Sequence, residues 1–270
     1  MPNAYNMAKS TNSKIIGKQR YKHLYHYTSF DSFIRIWLSG KLKFASVNNV
    51  NDLLEAYFSV STRNWQQTDL LKKYNEIRNS YKQVSFTTDY STHIKGCMSP
   101  MMWGIYADKR RGVCIEFDYD KILFPPKALK GVVKYKRSVN RSIELDPSLT
   151  LKDLKPFIIR HKNEIMFTKH ISWAGENEYR ILDDESDYLD IKDTITAVYL
   201  TSCYSQECLL VEKLVGDKVP VIYFGFKRAE DGNTAIPYIE NVREHRADME
   251  ERKIPIVSLN ESLKRQFHLK

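Results

Sequence analysis

The stretch Trp173-Ala174-Gly175-Glu176-Asn177-Glu178-Tyr179-Arg180 decides how this chain is read, because it sets two carboxylates two residues apart and ends in a guanidinium. In an extended segment side chains alternate, so Glu176, Glu178 and Arg180 fall on one face and Asn177, Tyr179 and Ile181 on the other. On a helix the two glutamates diverge. The aromatic and branched residues of Glu178-Tyr179-Arg180-Ile181-Leu182, closed by the acidic turn Asp183-Asp184-Glu185, favour a strand. Two readings of its charged face compete: an ordinary solvated sheet face, or a site.

Working outward, apolar spacing at Leu154, Phe157, Ile158, His161, Ile165 and Thr168 predicts one long helix over 151–170, beginning near Pro156 and delivering the chain to the quoted stretch. Alternating or branched runs predict strands at 24–28, 42–46, 84–88, 113–118, 131–135, 195–200 and 219–224. Helical spacing predicts helices at 30–38, 67–81, 101–106 and 206–215, and a helical turn through Leu54 and Tyr57. Thr28 is the expected N-cap of the first helix and Gly40 its left-handed end; Pro100 suits the first turn of the third. The sum is an α+β fold, a mainly antiparallel sheet flanked by helices in a single domain. A polar leader, 1–20, precedes a core of 21–227, and a charged appendage, 228–270, follows it.

Composition narrows the function classes. With 270 residues and 42% hydrophobic content the chain can bury a core. No apolar run approaches the ~20 residues that span a bilayer, and the start lacks a signal-peptide core, so no membrane partner and a cytoplasmic location are expected. Cys97, Cys114, Cys203 and Cys208 form no C-x-x-C pair, which argues against a zinc site or a disulfide framework. The net charge of +9 fits an acidic partner, such as nucleic acid or a phosphorylated cofactor, although solvated surface explains most of the scattered cations better.

Three constellations carry chemistry. His26 ends a strand just before a helix start, where a ring can meet a ligand; a hydrogen-bonded structural histidine is the alternative. Trp103 and Tyr106, followed by Arg110-Arg111-Gly112, offer aromatic faces that packing can also use. Asn51-Asp52 with Glu55 reads best as a capped helix. A metal could be assembled from Asp52, Glu55, Glu116, Glu176 and Glu178 by residue type alone, but no ligand spacing supports it, and no P-loop, G-x-G-x-x-G or serine elbow occurs.

The order Leu24-Tyr25-His26-Tyr27-Thr28, Asn51-Asp52 with Glu55, Met102-Trp103 with Tyr106-Ala107-Asp108, Gly112-Val113-Cys114-Ile115-Glu116-Phe117, and Trp173 with Glu176-Asn177-Glu178-Tyr179-Arg180 resembles a bacterial family catalogued as domain of unknown function 2971. The resemblance runs from about Tyr21 to Phe224, departing at Leu53, where the family has proline, and at Val84-Ser85-Phe86-Thr87, where it has a Cys-Phe-Ser strand. More distantly, a strand ending His-Tyr-Thr, a helix with a Gly-Lys-Leu exit and a late Glu-x-Glu strand are similar to ADP-ribosyltransferases of the His-Tyr-Glu type. That resemblance implies NAD as a substrate and a macromolecular target in bacterial stress, toxin or phage defence. His26 would hold the adenosine-side ribose, with Tyr27 and Thr28 beside it; Tyr106 would stack on nicotinamide. Glu178 would be the chemical residue at the nicotinamide ribose, Glu176 its auxiliary and Arg180 the group keeping Glu178 ionised. Two other expectations stand beside it: a non-catalytic nucleic-acid-binding or interaction domain, and a Mg²⁺-dependent nuclease using Glu116, Glu176 and Glu178.

Overall fold

Period-two alternation with both faces apolar dictates strands covered on two sides, and the computed structural model, which describes residues 21–48, 52, 59–61, 68–138, 142–146 and 148–251, has that form. Among the described residues nine strands form one sheet: β1 (His23–Thr28), β2 (Ala45–Ser46), β3 (Lys82–Thr87), β4 (Val113–Asp118), β5 (Leu129–Val132), β6 (Glu178–Asp183), β7 (Ile195–Leu200), β8 (Val221–Arg228) and β9 (Ala235–Asn241). Their order is β9-β8-β7-β4-β1-β3-β6-β5, with β2 lying against β3. All neighbours are antiparallel except β7 and β8. The helix α6 (Gln206–Val215) lies between those two in sequence, as a parallel pair requires of its connection. The expected α+β class with a mainly antiparallel sheet is therefore the observed one.

Alternation sorts the core. Val113, Ile115 and Phe117 of β4 and Val198 and Leu200 of β7 enter one cluster with Leu24 and Phe33, whereas Cys114, Ala197 and Tyr199 point the other way to Tyr25, Tyr27 and Trp103. Burying one such side chain, Phe117 for example, stabilises by about 1.5–3 kcal/mol. A third cluster joins α2 (Thr68–Ser80) to α4 (Leu154–Arg160) through Tyr74, Leu154, Phe157 and Ile158, on the side of β6 that carries Leu182.

Helix ends follow local chemistry. The helix α1 (Phe30–Ser39) is capped by Ser29, not by Thr28: the Ser29 hydroxyl accepts from Ser32 N, while Thr28 remains the last residue of β1. Gly40 closes α1 at φ 65°, as expected. Ser99 caps α3 (Pro100–Ile105), with Pro100 in its first turn. The turn expected through Leu54 and Tyr57, and Glu55 with it, lies outside the described residues.

Three further segments depart from expectation. The segment 151–170 is not one helix: α4 stops at Arg160, the short α5 (Lys162–Ile165) follows, and Thr168–His170 is a strand parallel to Lys134–Lys136. The Thr168 hydroxyl caps the break by donating to Asn163 O at 2.6 Å, and a ladder to a neighbouring strand replaces the intrahelical bonds. The segment 42–46 likewise divides, Lys41–Lys43 pairing with Tyr188–Asp190 and β2 with β3. Beyond residue 227, expected as a charged appendage, the chain contributes β9 to the sheet and then α7 (Val242–Glu251), which buries Val242 and His245.

Candidate active site

The sheet opens at its centre. β1 is fully paired with β4, but its register with β3 holds at the single pair Tyr25–Thr87. Past that pair the two strands enclose a cavity of about 220 Å³, whose walls include His26, Tyr27, Ser85, Lys169, Glu176 and Glu178, with Tyr106 at one side. His26 and Glu178, far apart in sequence, thus line one cleft. Thr28 is buried at the end of β1 and lies outside the lining.

His26 spans the gap where backbone pairing fails. Its Nδ1 meets Ser85 O at 3.0 Å; because a carbonyl only accepts, Nδ1 carries the proton and Nε2 is left as an acceptor. Burial pushes the imidazole below its usual pKa, and the Ser85 carbonyl opposes that only in part, so the ring is neutral at pH 7.

The opening stretch reaches the cleft by two routes. Glu178 and Arg180 alternate on β6 as expected, opposite Thr87 and Ser85 of β3. Glu176 does not share that strand: it ends a 3₁₀ turn, Ile171–Glu176, and Asn177 reverses the chain at φ 46°. Asparagine suits this left-handed position because its amide can bond locally; here Nδ2 donates to Thr88 O (3.1 Å), Thr88 Oγ1 (2.8 Å) and Asp89 O (3.0 Å). The turn brings Glu176 back beside Glu178.

A cation joins them. Lys169 Nζ donates to Glu176 Oε2 at 2.7 Å and lies 2.9 Å from Glu178 Oε2. Arg180 clamps Glu178 through both oxygens, Nε to Oε1 at 2.8 Å and Nη2 to Oε2 at 2.9 Å, while Nη1 donates to Met166 O at 2.6 Å. Ser85 Oγ donates to Glu178 Oε1 at 2.6 Å, and Glu178 N donates to the Tyr135 hydroxyl at 2.9 Å. The side chains of Arg180 and Glu178 are 1% and 3% exposed, so the face is buried and the solvated-face reading fails.

The two carboxylates differ in what they have left to offer. Glu178 has both oxygens doubly engaged, which uses all of a carboxylate's roughly four acceptor sites. Burial alone would raise its pKa, but the charges of Arg180 and then Lys169, with the hydrogen bonds of Arg180 and Ser85, hold it at about 2. Glu176 takes Lys169 on one oxygen and the Tyr106 hydroxyl on the other. Burial, aided by the negative charge of Glu178, pushes its pKa up against the pull of Lys169. Two neighbouring carboxylates with pKa values driven apart are the arrangement that separates a fixed charge from a proton-transfer group.

Sequence reasoning missed Lys169 and Ser85. Lys169 fell within the predicted helix, and a serine inside a strand carries no signal of its own. Glu116 lies elsewhere on the sheet, accepting from Thr196 Oγ1 and Tyr199 OH, and does not line the cleft. Among the described residues no three His, Cys, Asp or Glu side chains are grouped to hold a metal, and no helix is long and apolar enough to cross a membrane.

Residues 102–181 match the model of a family described as "Protein of unknown function (DUF2971)". The match takes in the last three of the five motifs, from Met102-Trp103 to Glu176–Arg180, together with Lys169. No curated protein and no solved structure matches the chain.

Proposed function

We propose that the cleft binds the nicotinamide-ribose end of NAD and that the protein is an ADP-ribosyltransferase-like enzyme. The observation that carries this reading is the meeting of His26 and the Glu176–Lys169–Glu178 cluster in one cleft. At about 220 Å³ the cavity is smaller than the roughly 300–1,000 Å³ of drug-sized sites, which suits half a dinucleotide. The half-buried Tyr106 ring supplies a flat face for nicotinamide, and His26 Nε2 accepts from a hydroxyl of the second ribose.

In this reaction the ribose C1′–nitrogen bond breaks, its electron pair leaves with nicotinamide, and an acceptor's lone pair closes on C1′ while the acceptor loses a proton. The geometry favours Glu176 over Glu178 for that proton: Glu176 is the carboxylate with acceptor capacity remaining and with a raised pKa, and so is the better base near neutrality. Glu178 is then a positioning residue that fixes Lys169 and Arg180.

Nicotinamide release and NAD binding, measured on the wild type, Glu176→Gln and His26→Ala, test the reading. Release by the wild type should fall by about 10²–10⁴-fold in Glu176→Gln with NAD still bound, whereas His26→Ala should weaken binding. Absence of NAD binding by the wild type, or unchanged release by Glu176→Gln, sinks it.

A further inference from the structure

The loop that follows Tyr106 is built more tightly than a connection needs. Asp108, Lys109 and Arg110 stand consecutively at φ 44°, 54° and 74°, in the left-handed region that disfavours residues with a Cβ. The surroundings hold it there. Arg110 N donates to Trp103 O at 3.0 Å and Gly112 N to Ala107 O at 2.9 Å, and the Thr201 hydroxyl donates to Arg110 O at 2.7 Å. A Cβ on Gly112 would lie 2.1 Å from Thr28 O, so the loop is pressed against the end of β1, two residues past His26.

This fixed backbone presents three consecutive exposed cations. Arg111 is paired with Asp108 at 2.9 Å, but the side chains of Lys109 and Arg110 make no hydrogen bond or ion pair among the described residues. Beside them opens a cavity of about 260 Å³, to which Ser202 and Thr201 also contribute; Glu207 is the one carboxylate among its walls. Two cations with no partner among the described residues, set on a rigid ridge, match successive phosphates of a chain better than one small anion, and the net charge of +9 draws a polyanion to the surface.

We propose that the 108–112 loop is a docking site for the phosphodiester backbone of a nucleic acid, with Lys109 and Arg110 as its contacts. The loop abuts the end of β1, the strand whose His26 lines the cleft, so a nucleic acid docked there is a candidate acceptor; that role rests on the function proposed above, whereas the binding does not.

Fluorescence anisotropy of a labelled single-stranded RNA over a salt series tests the site in the absence of NAD. The variant Lys109→Asn/Arg110→Asn removes both charges while keeping a residue that tolerates a left-handed backbone. It should bind at least tenfold more weakly, with the slope of log affinity against log salt reduced by about 1.4, or ~0.7 for each lost phosphate contact. The swap Lys109→Arg/Arg110→Lys should restore both. An unchanged slope overturns the proposal, as does an equal loss in the control Lys72→Asn/Lys152→Asn, which removes two exposed charges elsewhere. Displacement of the RNA by a phosphoserine peptide at equal phosphate concentration also overturns it, and assigns the loop to phosphoprotein. If the wild type fails to bind NAD while the RNA result holds, the enzymatic reading falls and the docking site stands.

Discussion

Glu116 on β4 and Glu178 on β6 are buried to a similar degree in the same sheet, yet they are held by opposite means. Neutral hydroxyls satisfy Glu116, Thr196 Oγ1 at 2.7 Å and Tyr199 OH at 2.6 Å, with the His23 ring 3.2 Å away, and it lines no part of the cleft. Cations dominate around Glu178, and a cavity opens beside it. The difference teaches that a buried carboxylate marks a site only through its company. Hydroxyls close Glu116 off within the core, whereas two cations, of which Lys169 is shared with a second carboxylate, create a fixed electrostatic pattern that a ligand can meet.

The comparison breaks most readily at its cations. Arg180→Met strips Glu178 of a bidentate partner and Met166 O of a donor, and should destabilise the protein by about 3–5 kcal/mol in urea unfolding. Glu116→Gln keeps an acceptor oxygen for one hydroxyl and should cost about 1–3 kcal/mol. Equal losses would show that the cations at Glu178 do no more than the hydroxyls at Glu116.

Acid sharpens the same contrast. The pKa of Glu178 is held at about 2, below its ordinary 4.5, so the stability it contributes is complete above pH 4.5 and is lost as pH falls toward 2. One shift of that size corresponds to ~3 kcal/mol. Glu176 has the opposite sign: its folded pKa is raised, so its ionised form costs stability near neutrality and the cost is relieved as pH falls through that raised value. Glu176 should therefore add a rising limb to the urea midpoints on mild acidification, against the loss that buried, neutral His26 contributes as pH falls below 6.5. Subtracting the Glu176→Gln curve should isolate the rising limb, and a flat difference would remove the distinction between the two carboxylates.

How far the sequence discloses this site follows from which interactions are local. β4, β7 and α6 have the boundaries their patterns predict, because alternation and helical spacing are properties of neighbouring residues. The facing of Glu178 and Arg180 is legible for the same reason. Lys169 is not: 151–170 keeps helical spacing, and only pairing with Lys134–Lys136 pulls 168–170 into a strand. Glu176 was expected beside Glu178 for the wrong geometric reason. Gly175 and Asn177 around it carry the signal of a turn, and the two acids converge because that turn folds back, not because a strand alternates. Ser85 matters only through β3 lying against β6, a long-range pairing that no local pattern announces.

The smallest effect tests the comparison most finely, because it removes one hydroxyl from each carboxylate. Thr196→Val takes a donor at 2.7 Å from Glu116 and leaves Tyr199 OH and the His23 ring to support a buried charge, so a cost of about 1.5–3 kcal/mol is expected. Ser85→Ala takes a donor at 2.6 Å from Glu178 Oε1, but Arg180 Nε remains on that same oxygen and Lys169 on the other. About 0.5–1.5 kcal/mol should therefore be lost, although the deleted bond is the shorter of the two. Chemical unfolding of both variants in one buffer decides between length and context. If Ser85→Ala proves the costlier, the hydroxyl and not the cation pair anchors Glu178, and the wall of the cleft is held from β3 and not from within β6.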